Sequence, residues 1–300
     1  MIPPWVVWTV LAIFCWGAWA LIGKLIGESL SPAATQALST IGLIPVFIAL
    51  GLSRRLTSSG NRRRGALFAI GAGALTCFGN IAYYGVLSSG AKAATVVPLT
   101  ALYPVVTILL AVIVLKERLK FIQSAGIACS LGAIYLFNVQ QEQGFVSRWL
   151  VVALIPIALW GVAGLLQKLA TNDISGERST LWFLVAFVPV AGCILIQQSL
   201  PARVAAGTWF LVAGLGFTFA LGNFALLAAF ANAGKASIIT PLAGLYPIVS
   251  IPLAIIFLHE RVGWREALGI MLALVSAVAL SWESPPTESD VPKLKPEVPI

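Results

Sequence analysis

Residues 92–118 read KAATVVPLTALYPVVTILLAVIVLKER, and residues 235–261 read KASIITPLAGLYPIVSIPLAIIFLHER. The shift is 143 residues and 15 of the 27 positions are identical, where composition alone would give about 3 in so apolar a window. The repeat extends upstream. Asn80 recurs as Asn223 at the same shift, while Trp16-Gly17 recurs as Trp160-Gly161, Lys24 as Lys168 and Pro45 as Pro189 at a shift of 144. One single-residue indel between positions 45 and 80 reconciles the two registers. The chain is therefore two copies of one unit, and each copy is built from apolar runs near 20 residues, the length a helix needs to cross a hydrocarbon core of about 30 Å.

Composition sets the environment. The 300 residues are 59% hydrophobic and only 10% charged, with a mean hydropathy of +0.95. Soluble domains run about 45–50% apolar and about 25% charged, so a water-soluble globule is excluded. A β-barrel would alternate over about 10 residues, which these continuous runs do not. Ten spans are predicted, at 5–26, 33–52, 65–87, 93–115, 121–138, 149–170, 180–199, 208–231, 236–258 and 264–282. The predicted fold class is thus an all-α polytopic membrane protein, with repeats at 1–138 and 149–282. Residues 283–300 carry five prolines among acids and lysines and read as a disordered tail. The first run lacks a basic leader and has span length, so it reads as a span rather than a signal peptide.

Five spans per copy is an odd number, so the second copy enters the membrane from the opposite side. Such inverted repeats are characteristic of secondary transporters, whose substrate sites lie near the midplane between the copies. The net charge of +8 fits basic cytoplasmic loops better than a nucleic-acid partner. With the N-terminus inside, 13 of the 19 Lys and Arg residues fall on the inner side, which predicts both termini cytoplasmic. Cys15, Cys77, Cys129 and Cys193 lie inside apolar runs without metal or redox spacing. The one histidine, His259, ends span 9. No catalytic motif is present, and no catalytic residue, metal or cofactor is expected.

A family resemblance rests on these residues. Ten spans in two halves, an aromatic-Gly pair in the first helix of each half, and Lys116-Glu117-Arg118 recurring as His259-Glu260-Arg261 after a matched Leu-Tyr-Pro resemble the EamA-type members of the drug/metabolite transporter superfamily, over residues 5–282. The resemblance implies that the first, third and fourth helices of each half line a central cavity, with the second outside, the fifth peripheral, and alternating access by rocking of the halves. The resemblance does not reach a substrate; the expected function is that of a secondary transporter (exporter, facilitator or exchanger) of a small organic metabolite, such as an amino acid or related solute, acting as a monomer or homodimer in a cell (inner) membrane. A carrier of lipid-linked sugars, a multidrug efflux pump and a membrane-embedded enzyme remain as alternatives.

The repeat also nominates site residues. Asn80 and Asn223 are amides in apolar stretches, worth about 0.6–2 kcal/mol if they only tie helices together, and able to bind polar groups of a solute if they face a cavity. Trp16 and Trp160 lie near mid-span, away from the interfacial belt where aromatics anchor. The other eight tryptophans read mostly as belt residues. With Tyr103 and Tyr246 these four form the expected substrate site. Pro98, Pro104, Pro241 and Pro247 each remove an N–H and free a carbonyl four residues back, on Ala94, Thr100, Ser237 and Ala243, which makes them candidate kinks or hinges. Lys24 and Lys168 read either as anchors that snorkel to headgroups or as a symmetric pair of cationic gates. The acids all fall in loops, the tail or helix ends, so facilitated diffusion or exchange is expected rather than coupling through an internal carboxylate. Glu117 and Glu260, at the C-terminal ends of their helices, are expected to be disfavoured by the macrodipole.

Overall fold

The structure, a computed structural model, describes residues 3–53, 56–58, 60–115, 119–138, 148–198, 200, 204–231, 239 and 242–280. Regular structure among these residues is helical, apart from one isolated antiparallel bridge between Ser58 and Ile174. In chain order the helices are α1 (Pro4–Ile26), α2 (Pro32–Ser39), α3 (Ile44–Gly51), α4 (Arg62–Ser88), α5 (Ala93–Thr100), α6 (Tyr103–Leu115), α7 (Phe121–Asn138), α8 (Arg148–Thr171), α9 (Gly176–Val185), α10 (Phe187–Gln197), α11 (Ala206–Ala231), α12 (Pro247–Leu258) and α13 (Trp264–Leu280). Every predicted span carries helix, and among the described residues seven helical stretches are long and apolar enough to cross a membrane. Phe121–Phe137 and Pro247–Leu258 are shorter apolar helices. The predicted tail at 283–300, together with Lys116, Glu117, Arg118, Lys235, Ser237 and Pro241, lies outside the described residues.

Four spans are broken where proline withholds a donor, the break in span 7 falling at Ala186 between α9 and α10, just before Pro189. Span 2 runs α2, a 3-10 turn at Thr40–Leu43, then α3 with Pro45 in its first turn. Span 4 breaks between α5 and α6 just before Pro104: Leu102 N–H donates to the Leu99 carbonyl (3.2 Å) and Val105 N–H to Leu102 (3.0 Å). The second half copies this, with Leu245 N–H on Leu242 (2.9 Å) and Tyr246 N–H on Ala243 (3.3 Å). The Ala243 carbonyl, expected to be freed by Pro247, is therefore satisfied by a tightened turn. Helix starts are copied as well: Ser31 Oγ accepts from Ala34 N–H and its mate Ser175 Oγ from Arg178 N–H, each satisfying a donor with no intrahelical acceptor.

The packing shows the inverted symmetry. α1 lies along α11, its mate α8 lies along α4 (the mate of α11), and the fifth spans α7 and α13 pair with each other at the periphery. The Trp-Gly pairs explain this choice. Trp16 covers Gly222, where an added Cβ would lie 2.5 Å from its ring, and Trp160 covers Gly79 at the same 2.5 Å. A Cβ on Gly17 would fall against Val249 and 3.2 Å from the Tyr246 carbonyl, and one on Gly161 against Val106 and 3.0 Å from the Tyr103 carbonyl. Between apolar helices in lipid, such small residues supply the close van der Waals contact that drives association. Each Trp-Gly pair thus holds a first helix to a third and a fourth helix.

Two walls result. One is α1, α11 and α12; the other is α8, α4 and α6. Each wall draws helices from both halves, so the halves interlock. The second spans pack outside, where Gly42 and Gly216 meet backbone to backbone and Ala186 repeats that contact on Gly73.

Candidate functional site

Between the walls lies a cavity of about 60 Å³, room for a few water molecules. Trp16, Asn80, Tyr103, Trp160, Asn223 and Tyr246 all line it, and all six are buried. The helices set this up by register. Each Trp sits mid-helix against the glycine next to its own wall's Asn, and each Tyr sits at the helix break where Pro104 or Pro247 turns the chain. Thr76, Gln167, Ala163, Gly164, Phe219, Leu226 and Trp19 complete the lining, which holds no charged side chain among the described residues.

The two Trp-Asn pairs are not equivalent. Trp160 Nε1 donates to Asn80 Oδ1 at 3.2 Å. Asn223 instead donates from Nδ2 to the Phe219 carbonyl in its own helix at 2.9 Å. Trp16 Nε1 is left buried without a partner, a state that costs about 1–3 kcal/mol for a buried donor. The Trp160–Asn80 pair is internally satisfied, while the other side presents the Trp16 N–H and the Tyr246 hydroxyl without partners.

The ends of the cavity differ more. Toward Lys24, Trp19 of one wall stacks on Tyr83 of the other (centroids 4.9 Å apart, planes at 17°), meets Trp160 at 5.8 Å, and donates from Nε1 to Tyr84 Oη at 2.9 Å. Trp19 is 4% exposed, so it belongs to the site and not to an interfacial belt. Toward Lys168 the repeat places Ala163, Leu226 and Leu227 where Trp19, Tyr83 and Tyr84 stand. The space lies on that side, bounded by Ala163, Gly164, Gln167 and Leu226.

Lys24, Lys168, Pro98, Pro104 and Pro247 stand apart from the cavity lining. Lys24 Nζ donates to the carbonyls of Leu87 (2.9 Å) and Ala91 (2.8 Å), at the C-terminal end of α4 where the helix dipole favours a cation. Lys168 is half-buried in the last turn of α8. Pro98 lies within α5, while Pro104 and Pro247 mark the starts of α6 and α12.

The family model for EamA-like transporters matches this chain twice, over residues 3–139 and 147–282. The chain belongs to the EamA-like transporter family, within the drug/metabolite transporter superfamily. No curated protein matches it at a significant level. One solved structure, described only as a crystal structure of a protein, is similar with a TM-score of 0.68 at 18% identity, covering 93% of this chain and 96% of that one; the likeness is one of fold. In this EamA-like transporter, sequence reasoning missed Trp19, Tyr83, Thr76 and Gln167. Trp19 and Tyr83 lie three residues beyond Trp16 and Asn80, so helical spacing places each on the same face as a nominated residue.

Proposed function

We propose that this chain is a secondary transporter for a small organic solute of no net charge, an amino acid or related zwitterion, which binds between the walls α1/α11/α12 and α8/α4/α6. The observation that carries this reading is the cavity: it lies at mid-span, is walled by aromatics and amides with no charged group among the described residues, and holds unsatisfied polar groups at Trp16 Nε1 and Tyr246 Oη. A net ion would leave water there without a counter-charge, which low-dielectric surroundings make costly. A zwitterion's carboxylate or a carbonyl would instead accept from Trp16 Nε1, with Asn223 free to turn its amide toward the same group. Trp16, Asn80, Tyr103, Trp160, Asn223 and Tyr246 form the binding site in this reading, Pro98, Pro104, Pro241 and Pro247 shape the helices that flex, and Lys24 and Lys168 cap the two ends.

Transport would proceed by facilitated diffusion or exchange in a cell (inner) membrane, with 1–138 and 149–282 as the repeats and both termini and the tail 283–300 cytoplasmic. The test is counterflow in proteoliposomes across a panel of neutral amino acids, organic anions and organic cations. Saturable counterflow confined to the neutral set, with a raised KM in Trp16→Phe, supports the reading. Flux of anions or cations alone overturns the substrate class, and absence of flux for the whole panel overturns the transport reading.

A further inference from the structure

The walls are also joined across the Lys24 end by contacts that solute binding does not use. After α12, His259 adopts a left-handed conformation (φ 53°), the one positive φ of a non-glycine residue among those described. A left-handed residue at a helix end reverses the chain, and here it sends Glu260 over the start of α5. Ala93 N–H donates to Glu260 Oε1 and Ala94 N–H to Oε2, each at 2.8 Å. These donors have no intrahelical acceptor, and the positive end of the α5 dipole favours the carboxylate. The expectation for Glu260 is thereby corrected: it follows the C-terminus of its own helix and serves the N-terminus of another.

Beside it, Lys92 Nζ donates to both oxygens of Glu266 (2.9 and 3.0 Å) and to the Arg261 carbonyl (2.9 Å). Thr95 Oγ1 donates to Glu266 Oε1 at 3.1 Å and Gly263 N–H to Oε2 at 2.7 Å. Glu266 is 2% exposed. Lys92 to Thr95 begin the span that continues into α6 of one wall. Glu260 follows α12 of the other wall, and Glu266 lies in the first turn of α13.

The repeat shows what the opposite end lacks. Lys92 recurs as Lys235 and Glu260 as Glu117, but Glu266 aligns with Gln123. Gln123 does the same local task, since its Oε1 accepts from Lys120 N–H at 3.1 Å as Glu266 does from Gly263. It carries no charge, so it has no ion pair to offer Lys235. We propose that Lys92, Glu260 and Glu266 form a gate latch that holds the protein closed at the Lys24 end, and that the neutral Gln123 makes the Lys168 end the weaker gate and the one open at rest. The proposal rests on the transport reading for its purpose, and its test needs no substrate.

Single cysteines are introduced by Ala94→Cys, buried under the latch, or by Gln167→Cys, in the cavity toward Lys168, with Cys15, Cys77, Cys129 and Cys193 replaced by serine. Full-length protein in nanodiscs, which expose both faces, is labelled with a charged maleimide. Glu260→Gln and Glu266→Gln should each raise labelling at Ala94→Cys by about tenfold and lower it at Gln167→Cys, because populations exchange between two closures. Unchanged rates at both positions would overturn the latch. Gln123→Glu keeps the test alive if the Glu266 variant does not fold: it should slow labelling at Gln167→Cys severalfold, and an unchanged rate there sinks the proposal. A labelling shift without flux for any solute would leave the latch standing and the transport reading fallen; flux with unaltered labelling would do the reverse.

Discussion

The two ends of the cavity are built on one backbone and filled with different side chains. At the Lys24 end, Trp19 stacks on Tyr83 and bonds Tyr84 across the walls. At the Lys168 end the matched positions are Ala163, Leu226 and Leu227, and the space between the walls stays unfilled. The glycine contacts within each wall are alike to a few tenths of an ångström. Repetition thus fixes how each wall holds together, while divergence of three or four side chains decides which end closes. A transporter with identical ends would have no preferred resting state.

The largest effect should come from unfilling the closed end. Trp19→Ala removes a buried ring and its hydrogen bond and should cost about 3–5 kcal/mol, whereas the matched Ala163→Gly should cost about 1 kcal/mol, both measured by denaturant unfolding in detergent. Equal costs would show that the aromatic plug contributes nothing and break the comparison.

A middle-sized effect tests the symmetry of the walls. Gly79→Ala and Gly222→Ala each drive a methyl into a tryptophan ring, and overpacking of this kind costs about 1–3 kcal/mol. The two losses should agree within error, and Gly192→Ala, with nothing near its Cβ position, should show no overpacking cost. A large difference between Gly79 and Gly222 would mean that the pseudo-symmetry is only geometric.

The smallest effect sharpens the contrast within the site. Asn80→Ala strands Trp160 Nε1 and should cost about 0.6–2 kcal/mol. Asn223→Ala removes only a bond within its own helix, so it should cost less in melting temperature while raising KM in the counterflow assay more. If Asn223→Ala is the more destabilising of the two, the roles assigned to the two amides are reversed.

Much of this was legible before any coordinates. The repeat shift locates Trp16, Asn80 and Tyr103 with their mates, and length plus hydropathy locates the spans. What repetition cannot find is what it does not repeat: Trp19, Tyr83 and Tyr84 align with Ala163, Leu226 and Leu227, so matching the halves discards them. The pairing of α1 with α11 was hidden for a different reason. Hydropathy reports that a helix is apolar on most faces and does not say which neighbour its glycines admit. The roles of Glu260 and Lys24 depend on partners 166 and 63 residues away in the chain, and neither spacing leaves a local trace.

The interlocking of the halves also bears on how the protein is made. α1 is translated well before its main partner α11, which begins at residue 206, so it enters the bilayer long before its companion exists. Meanwhile Gly17 and Trp16 face lipid or a temporary neighbour, and domains otherwise tend to fold in order of synthesis. Neither repeat expressed by itself contains a complete wall. Two fragments divided between residues 138 and 149 and produced in one cell, however, carry every partner needed, and should assemble from separate polypeptides into a stable pair that neither fragment forms alone.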